Sequence, residues 1–276
     1  MDFIKQIENA IAKNNSLLCV GLDPVREKMP KHLFDSGDPF FEFNKAIIDA
    51  THDLAAVFKP NLAFYAAEGL EGIEALQKTI KYIHSTYKTP TILDAKFADI
   101  GNTSEAYAKY VFDFLKADGL TVNPYMGKDS LEPFLKRKDK GVIVLCHTSN
   151  EGALDFQDLW VADRDTFNYV IVAEKIVEWN KEYGNCMMVV GATYPEQLEY
   201  LREATEEMFF LVPGIGAQGG NFREVMKAGL RDDKSGLIIN SSRSILYAGA
   251  GRDFAEKARV EAEKIREDIN KFRKSI

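Results

Sequence analysis

Charged side chains interrupt an apolar stretch at residues 90–100, which reads Pro-Thr-Ile-Leu-Asp-Ala-Lys-Phe-Ala-Asp-Ile. If residues 91–96 form a buried strand, side chains two positions apart share a face, which makes Asp94 and Lys96 a buried pair near the strand's end. Burying a carboxylate and an ammonium costs several kcal/mol per ion unless each is paired and hydrogen-bonded. Because stability alone is a poor reason for such a pair, we interpret it as part of a chemical site; a structural ion pair is the simpler alternative.

Charge also follows other apolar runs of the chain. Asp23 follows the run at residues 16–22, and Lys59 follows the run at residues 54–58. If these runs are parallel strands of one sheet, their carboxyl ends meet at one rim. The sequence therefore predicts that separate strands deliver acidic and basic groups to a common site, although Asp23 before Pro24 could also start a simple turn.

Eight short apolar runs alternate with segments of helical periodicity, at intervals of roughly thirty residues. The runs predicted as strands are 16–22, 54–58, 91–96, 119–123, 141–146, 186–191, 209–212 and 236–240. This order predicts one (β/α)8 barrel, a TIM barrel, as a single catalytic domain over residues 1–276; a doubly wound open sheet is the weaker alternative. Residues 2–14 predict an amphipathic N-terminal helix that plugs or flanks the core.

The segments after the last two predicted strands suggest a phosphate site. Residues 213–221 are rich in glycine, and Arg243 follows the eighth run. Glycines let backbone N–H groups approach an anion, and the loops after strands seven and eight commonly bind phosphate in such barrels. Arg243 would add a bidentate clamp. Two plain surface turns are the alternative.

Composition excludes several classes of function. The net charge is −7 over 276 residues, whereas a nucleic-acid partner requires a basic surface, so we expect none. No apolar run approaches the ~20 residues of a membrane helix, and the N-terminus lacks a signal-peptide pattern. Cys19, Cys146 and Cys186 lie in apolar runs without metal-ligand spacing, which predicts buried free thiols and no metal site. We expect a cytoplasmic protein.

The pattern Asp94-x-Lys96-x-x-Asp99-Ile100, preceded by Lys59, resembles the signature of the orotidine 5′-phosphate decarboxylase family. The resemblance runs from the first to the eighth strand. It implies a carboxy-lyase that converts orotidine 5′-phosphate to UMP in pyrimidine nucleotide synthesis, without a cofactor. It also implies a homodimer in which Asp99 and Thr103 enter the partner's site. The chain length suggests the longer bacterial subgroup, with excursions near residues 26–39 and 150–165.

The same resemblance assigns roles to individual residues. Lys59, Asp94, Lys96 and Asp99 would form an alternating charged network, with Lys96 protonating C6 of the product. The residues expected to bind substrate are Asp23 at a ribose hydroxyl, Thr103 across the interface, Ser149 at the pyrimidine, and Gln218 and Arg243 at the phosphate. Taken singly, Thr103 could merely cap a helix, and Ser149 and Gln218 are ordinary loop residues. Ser242 departs from the glycine that the family commonly has before this arginine.

Two other functions fit parts of the pattern. A related sugar-phosphate lyase or aldolase would use the Asp-x-Lys-x-x-Asp stretch to help hold a magnesium ion. A non-catalytic nucleotide-binding protein would keep the phosphate loops alone, but retention of all four charged residues argues against it.

Overall fold

The computed structural model describes residues 1–205, 207–214 and 222–276. Its main sheet has eight parallel strands, which are β1 (Leu18–Leu22), β2 (Val57–Pro60), β3 (Ile92–Phe97), β4 (Gly119–Val122), β5 (Gly141–His147), β6 (Cys186–Val190), β7 (Phe210–Val212) and β8 (Leu237–Ser241). Their order in the sheet is β2-β1-β8-β7-β6-β5-β4-β3. Bridges between Phe58 and Thr91 and between Asn61 and Asp94 join β2 to β3 and close the barrel, as the sequence predicted.

Helices connect these strands and cover the outside of the barrel. They are α1 (Phe3–Asn14), α2 (Pro39–Thr51), α3 (Leu62–Ala66), α4 (Gly69–Thr86), α5 (Gly101–Ala108), α6 (Lys128–Leu135), α7 (Asn168–Tyr183), α8 (Pro195–Thr205), α9 (Phe222–Gly229), α10 (Arg243–Leu246) and α11 (Phe254–Ser275). A π-helical segment, Lys109–Phe114, extends α5. Within the described ranges, no helix is both long and apolar enough to cross a membrane.

Both predicted excursions contain short 3-10 helices. The first holds Arg26–Lys28 and Lys31–Asp35, and the second holds Glu151–Asp155 and Ala162–Arg164. A small antiparallel pair, Trp160–Val161 with Thr166–Phe167, flanks the last of these helices, so that its first strand lies within the second excursion. These segments lie between β1 and α2 and between β5 and α7, and thus at the carboxyl ends of their strands.

Helix α1 closes the amino-terminal end of the barrel. Asp2 caps it by accepting a hydrogen bond from the Lys5 N–H at 2.8 Å, and Phe3 is completely buried. The Phe3 ring fills the space beside Gly119 and Gly141, where a Cβ on Gly141 would lie 2.0 Å from the ring. The predicted lead-in helix therefore plugs the core at the end opposite the rim.

Two local predictions were wrong. The second strand begins at Val57 rather than at residue 54, because the N–H groups of Leu54 and Ala55 still bond to the Thr51 carbonyl at the end of α2. Thr103 does not cap a helix, since α5 already begins at Gly101.

We expect replacement of Phe3 by alanine to lower the free energy of unfolding by about 3 to 5 kcal/mol, because it leaves a cavity that the two rigid glycine strands cannot fill. Denaturant unfolding would measure this change. Leu70→Ala is the matched control, since Leu70 is 83% exposed and its loss should cost less than about 0.5 kcal/mol. Equal stability of the Phe3→Ala variant and the wild type would contradict the plug.

Candidate active site

The Asp94 carboxylate at the carboxyl end of β3 is bound by two ammonium groups. Its Oδ2 accepts a hydrogen bond from Lys59 Nζ at 2.9 Å, and its Oδ1 accepts one from Lys96 Nζ at 2.5 Å. The Lys59 side chain is only 5% exposed, whereas that of Lys96 is 48% exposed. One lysine is therefore a fixed buried charge, and the other can reach a ligand.

A β-bulge gives Lys96 this position. The register between β3 and β4 shifts between Leu93 and Phe97, and Lys96 has a left-handed backbone with φ of 54°. The regular alternation of side chains between the two faces of β3 therefore stops after Asp94. We predicted that both side chains are buried. This is correct for Asp94 and wrong for Lys96, whose side chain is exposed and reaches the Asp94 carboxylate from the bulge.

Thr121 on β4 holds this bulge in place. Its Oγ1 accepts hydrogen bonds from the backbone N–H groups of Ala95 and Lys96, both at 3.0 Å, and donates one to Asp94 Oδ1 at 2.9 Å. Thr121 was not among the predicted site residues, because a threonine within an apolar run is typical of any strand. A bulge is not visible in the apolar pattern either, so the sequence carried no signal for this contact.

The electrostatics of the site keep these groups ionised. Burial alone would raise the pKa of Asp94, but the ammonium groups of Lys59 and Lys96 outweigh it and hold that pKa well below its ordinary value. Burial likewise opposes the charged form of Lys59, yet the carboxylates of Asp94 and Asp23 raise its pKa above the ordinary value. At neutral pH the buried pair is therefore an ammonium and a carboxylate.

A cavity of about 650 Å³ opens above this charged group. Asp23, Lys59, Asp94 and Arg243 are among the residues that line it. Asp23 Oδ1 is buried and has no hydrogen-bond partner among the described residues. Arg243 is exposed, and no described residue accepts a hydrogen bond from its guanidinium. The cavity thus has polar groups available for a ligand at both places.

The loops beneath these two residues are in close contact. A Cβ on Gly21 would lie 1.8 Å from Ser242 Oγ, so only glycine fits on β1 at this point. Ser242, the departure from the family pattern, therefore packs directly against the strand that leads to Asp23.

Other predicted site residues do not join this group. Asp99 has no cation within 4.0 Å among the described residues, and its Oδ1 accepts a hydrogen bond from the Ile100 N–H at 2.7 Å. Thr103 is exposed on α5. Ser149 is held by a hydrogen bond from Thr193 Oγ1 to its carbonyl at 3.1 Å, but it does not line the cavity. Gln218 lies outside the described residues.

Comparison with known proteins gives the context for this geometry. Residues 16–258 match the model of the orotidine 5′-phosphate decarboxylase / HUMPS family. The chain belongs to this family. Of the residues that carry the resemblance to this family, the barrel brings Lys59, Asp94 and Lys96 together, whereas Asp99 stands apart from them.

Relatives in the family match this chain along almost its whole length. Orotidine 5′-phosphate decarboxylase of Flavobacterium johnsoniae is 53% identical over 258 residues, which cover 93% of each chain. That of Cellvibrio japonicus is 48% identical over 276 residues, covering 99% of this chain and 100% of the relative. The solved structure of Leishmania donovani OMP decarboxylase is 40% identical, with a TM-score of 0.86 and 99% of both chains covered. The full-length bacterial matches agree with the longer subgroup predicted from the sequence.

The shifted pKa of Asp94 predicts how stability depends on pH. The unfolded chain takes up a proton at Asp94 near the ordinary pKa of 3.8, whereas the native carboxylate stays ionised to lower pH. The stabilising contribution is therefore present above the unfolded pKa and is lost as the pH falls through the native one. From pH 5 to pH 2, the unfolding free energy of wild type relative to Asp94→Asn should fall by up to about 1.4 kcal/mol per pH unit.

Denaturant unfolding across this range would measure the difference. Asp113→Asn is the control: the Arg137 guanidinium also lowers the pKa of Asp113, but that side chain is 53% exposed, so solvent screens the interaction and the effect should be small. If the unfolding free energies of wild type and Asp94→Asn depend on pH in the same way, the lowered pKa of Asp94 is contradicted.

Proposed function

We propose that this chain decarboxylates orotidine 5′-phosphate to UMP. The observation that carries the proposal is the pair of ammonium groups on one buried carboxylate; of these three groups, Lys59 and Asp94 line a cavity that Arg243 also lines. Relatives that match nearly the whole chain carry the name orotidine 5′-phosphate decarboxylase. Family membership and geometry therefore support the same reaction.

The reaction needs fixed charge because of the intermediate it forms. Loss of carbon dioxide from C6 leaves an electron pair that no adjacent carbonyl can delocalise, so a preorganised cation must stabilise it. Lys96 is suited to this role, since its ammonium group is partly exposed and held by Asp94. We propose that Lys96 stabilises the carbanion and then protonates C6, with no cofactor involved.

Asp94 would stand close to the departing carboxylate. Two unit negative charges about 4 Å apart repel by about 4 kcal/mol at an effective dielectric of 20, and this repulsion disappears as neutral carbon dioxide leaves. Lys59 keeps Asp94 ionised when a second anion approaches, because it is buried against the carboxylate at 2.9 Å. In the buried pair, Asp94 thus repels the substrate carboxylate, and Lys59 keeps Asp94 charged while it does so.

The magnesium-dependent alternative fits this geometry less well. Both oxygens of Asp94 already accept hydrogen bonds from ammonium groups, which would repel a divalent cation. In the described ranges, no three histidine, cysteine or carboxylate side chains are gathered as metal ligands. The arrangement favours charge stabilisation by lysine.

The remaining polar groups of the cavity suit a nucleotide. We propose that Asp23 Oδ1, which is buried and unpaired among the described residues, accepts a hydrogen bond from a ribose hydroxyl. Arg243 would bind the 5′-phosphate together with Gln218, and Ser149 would contact the pyrimidine after a local movement. Binding energy from the phosphate would then help to position the pyrimidine, which carries the reacting carboxylate, in the site.

We also propose a homodimer in which Asp99 and Thr103 complete the partner's site. Asp99 has no cation within reach among the described residues of its own chain, although it follows Lys96 by three positions. Exposed apolar side chains occur on the same rim, including Ile100 at 61% and Tyr125 at 84%, and the Tyr125 ring contacts that of Phe156. An apolar rim of this kind is typical of an interface between subunits.

The chain would act as one catalytic domain in the cytoplasm. All three cysteines are buried free thiols, which suits a reducing compartment. Burial raises the pKa of Cys19 to about 12, so its thiol stays protonated beside the charged group.

Purified protein should convert orotidine 5′-phosphate to UMP in the presence of EDTA. Lys96→Ala should lower turnover by more than about a thousandfold, because it removes both the cation and the proton donor. Lys271→Ala, at a side chain that is 74% exposed, is the matched control and should retain wild-type turnover. Absorbance assays would measure both. UMP binding without turnover by the wild type, or full activity in Lys96→Ala, would refute the proposal.

A mixed dimer tests whether Asp99 crosses the interface. Random mixing of Asp99→Ala chains with Lys96→Ala chains should restore about a quarter of wild-type activity, because half of the dimers are mixed and each has one intact site. Each variant alone should remain nearly inactive. Activity that stays at the level of the separate variants would show that Asp99 serves its own subunit.

A further inference from the structure

Tyr247 connects the two loops that carry Asp23 and Arg243. Its hydroxyl donates a hydrogen bond to the Asp23 carbonyl at 2.8 Å and accepts one from the Val25 N–H at 2.7 Å. Its own backbone N–H donates to the Arg243 carbonyl at 3.2 Å. A short chain of direct hydrogen bonds therefore joins the backbone of the loop after β1 to the backbone of α10.

The ring of Tyr247 is fixed by its surroundings. It stacks on Phe43 with centroids 6.2 Å apart and planes 16° from parallel, and Lys28 Nζ lies 5.5 Å from its centroid. Burial raises the pKa of Tyr247 to about 12, so the phenol keeps its proton and can donate to Asp23. The hydroxyl thus has a defined place and a defined donor role.

This contact acts on the backbone of a residue whose side chain faces the cavity. Asp23 Oδ1 is buried and lacks a hydrogen-bond partner among the described residues, so no hydrogen bond to this oxygen holds the side chain in place and its position depends on the backbone that carries it. Just before it, Gly21 packs against Ser242 with no room for a Cβ. The two segments are therefore held together at two points, by the contact of Gly21 with Ser242 and by the hydrogen bonds of Tyr247.

We propose that Tyr247 is a positioning residue that sets the separation between Asp23 and Arg243 and so determines recognition of the ribose 5-phosphate part of the nucleotide. The proposal rests on the assignment of those two residues to the sugar and the phosphate under the proposed function. Tyr247 itself touches backbone atoms and does not line the cavity. The effect of its hydroxyl on a ligand must therefore pass through the loop that carries Asp23.

A double-mutant cycle on UMP affinity, measured by titration calorimetry, tests this coupling. Tyr247→Phe keeps the stacked ring and removes the hydrogen bonds of the hydroxyl. We expect it to weaken UMP binding about tenfold in the wild-type background, because the Asp23 loop loses its fixed position. In the Asp23→Ala background the same change should weaken binding by less than about twofold.

Tyr87→Phe is the matched control. It removes a hydroxyl that donates to Asp49 at 2.7 Å, between α2 and α4 and away from the cavity, so UMP affinity should stay at the wild-type value. Melting temperatures of both variants would separate a general loss of stability from the specific effect. An equal loss of affinity from Tyr247→Phe in both backgrounds, or no loss in either, would overturn the positioning role.

The cycle also separates this inference from the proposed function. Wild-type protein that binds UMP but does not decarboxylate orotidine 5′-phosphate would refute the decarboxylase, while the coupling between Tyr247 and Asp23 would still decide the positioning role. Wild-type protein that does not bind UMP would overturn both.

Discussion

The buried ion pair between Lys59 and Asp94 is the interaction on which the site depends. Each ion would be costly in the barrel interior without the other, and removal of one partner typically destabilises a protein by about 3 to 5 kcal/mol. Lys59 comes from β2, Asp94 from β3, and Thr121, which also bonds to Asp94, from β4. Because a shift of one residue would turn these side chains to the other face, the pair requires the registers of three adjacent strands to be correct.

The bulge on β3 converts this structural pair into a reactive group. A regular strand would have carried Lys96 into the interior beside Asp94, where it could only balance charge. With its left-handed backbone, Lys96 instead stays 48% exposed while its ammonium remains on the carboxylate. The Asp94 carboxylate thus holds two cations, the buried Lys59 and the accessible Lys96. Lys96 is the one that can contact a carbanion. Tyr247 would play a comparable part for recognition of the sugar and the phosphate, because it fixes Asp23 relative to Arg243.

The sequence predicted the barrel well because its strands are buried and apolar, and because the parallel order places their carboxyl ends together. It also predicted that Lys59, Asp94 and Lys96 meet. It did not predict the bulge, since Ala95 and Lys96 leave the strand pattern through a contact with Thr121 that is 25 or more positions away. The start of β2 was wrong for a similar reason, as hydrogen bonds to Thr51 compete with the apolar pattern. The positions expected for Asp99, Thr103 and Gln218 relative to a ligand stay predictions, because the first two depend on a partner subunit and the third lies outside the described residues.

We expect Lys96, held by Asp94, to stabilise negative charge at C6 and to deliver a proton there. Exchange of the C6 hydrogen of UMP for deuterium in heavy water, followed by NMR, tests this directly, because it requires the same carbanion without loss of carbon dioxide. We expect the wild type to catalyse this exchange and Lys96→Ala to lack it, at concentrations of UMP that saturate both proteins. Exchange that persists at the wild-type rate in Lys96→Ala would contradict this role of Lys96.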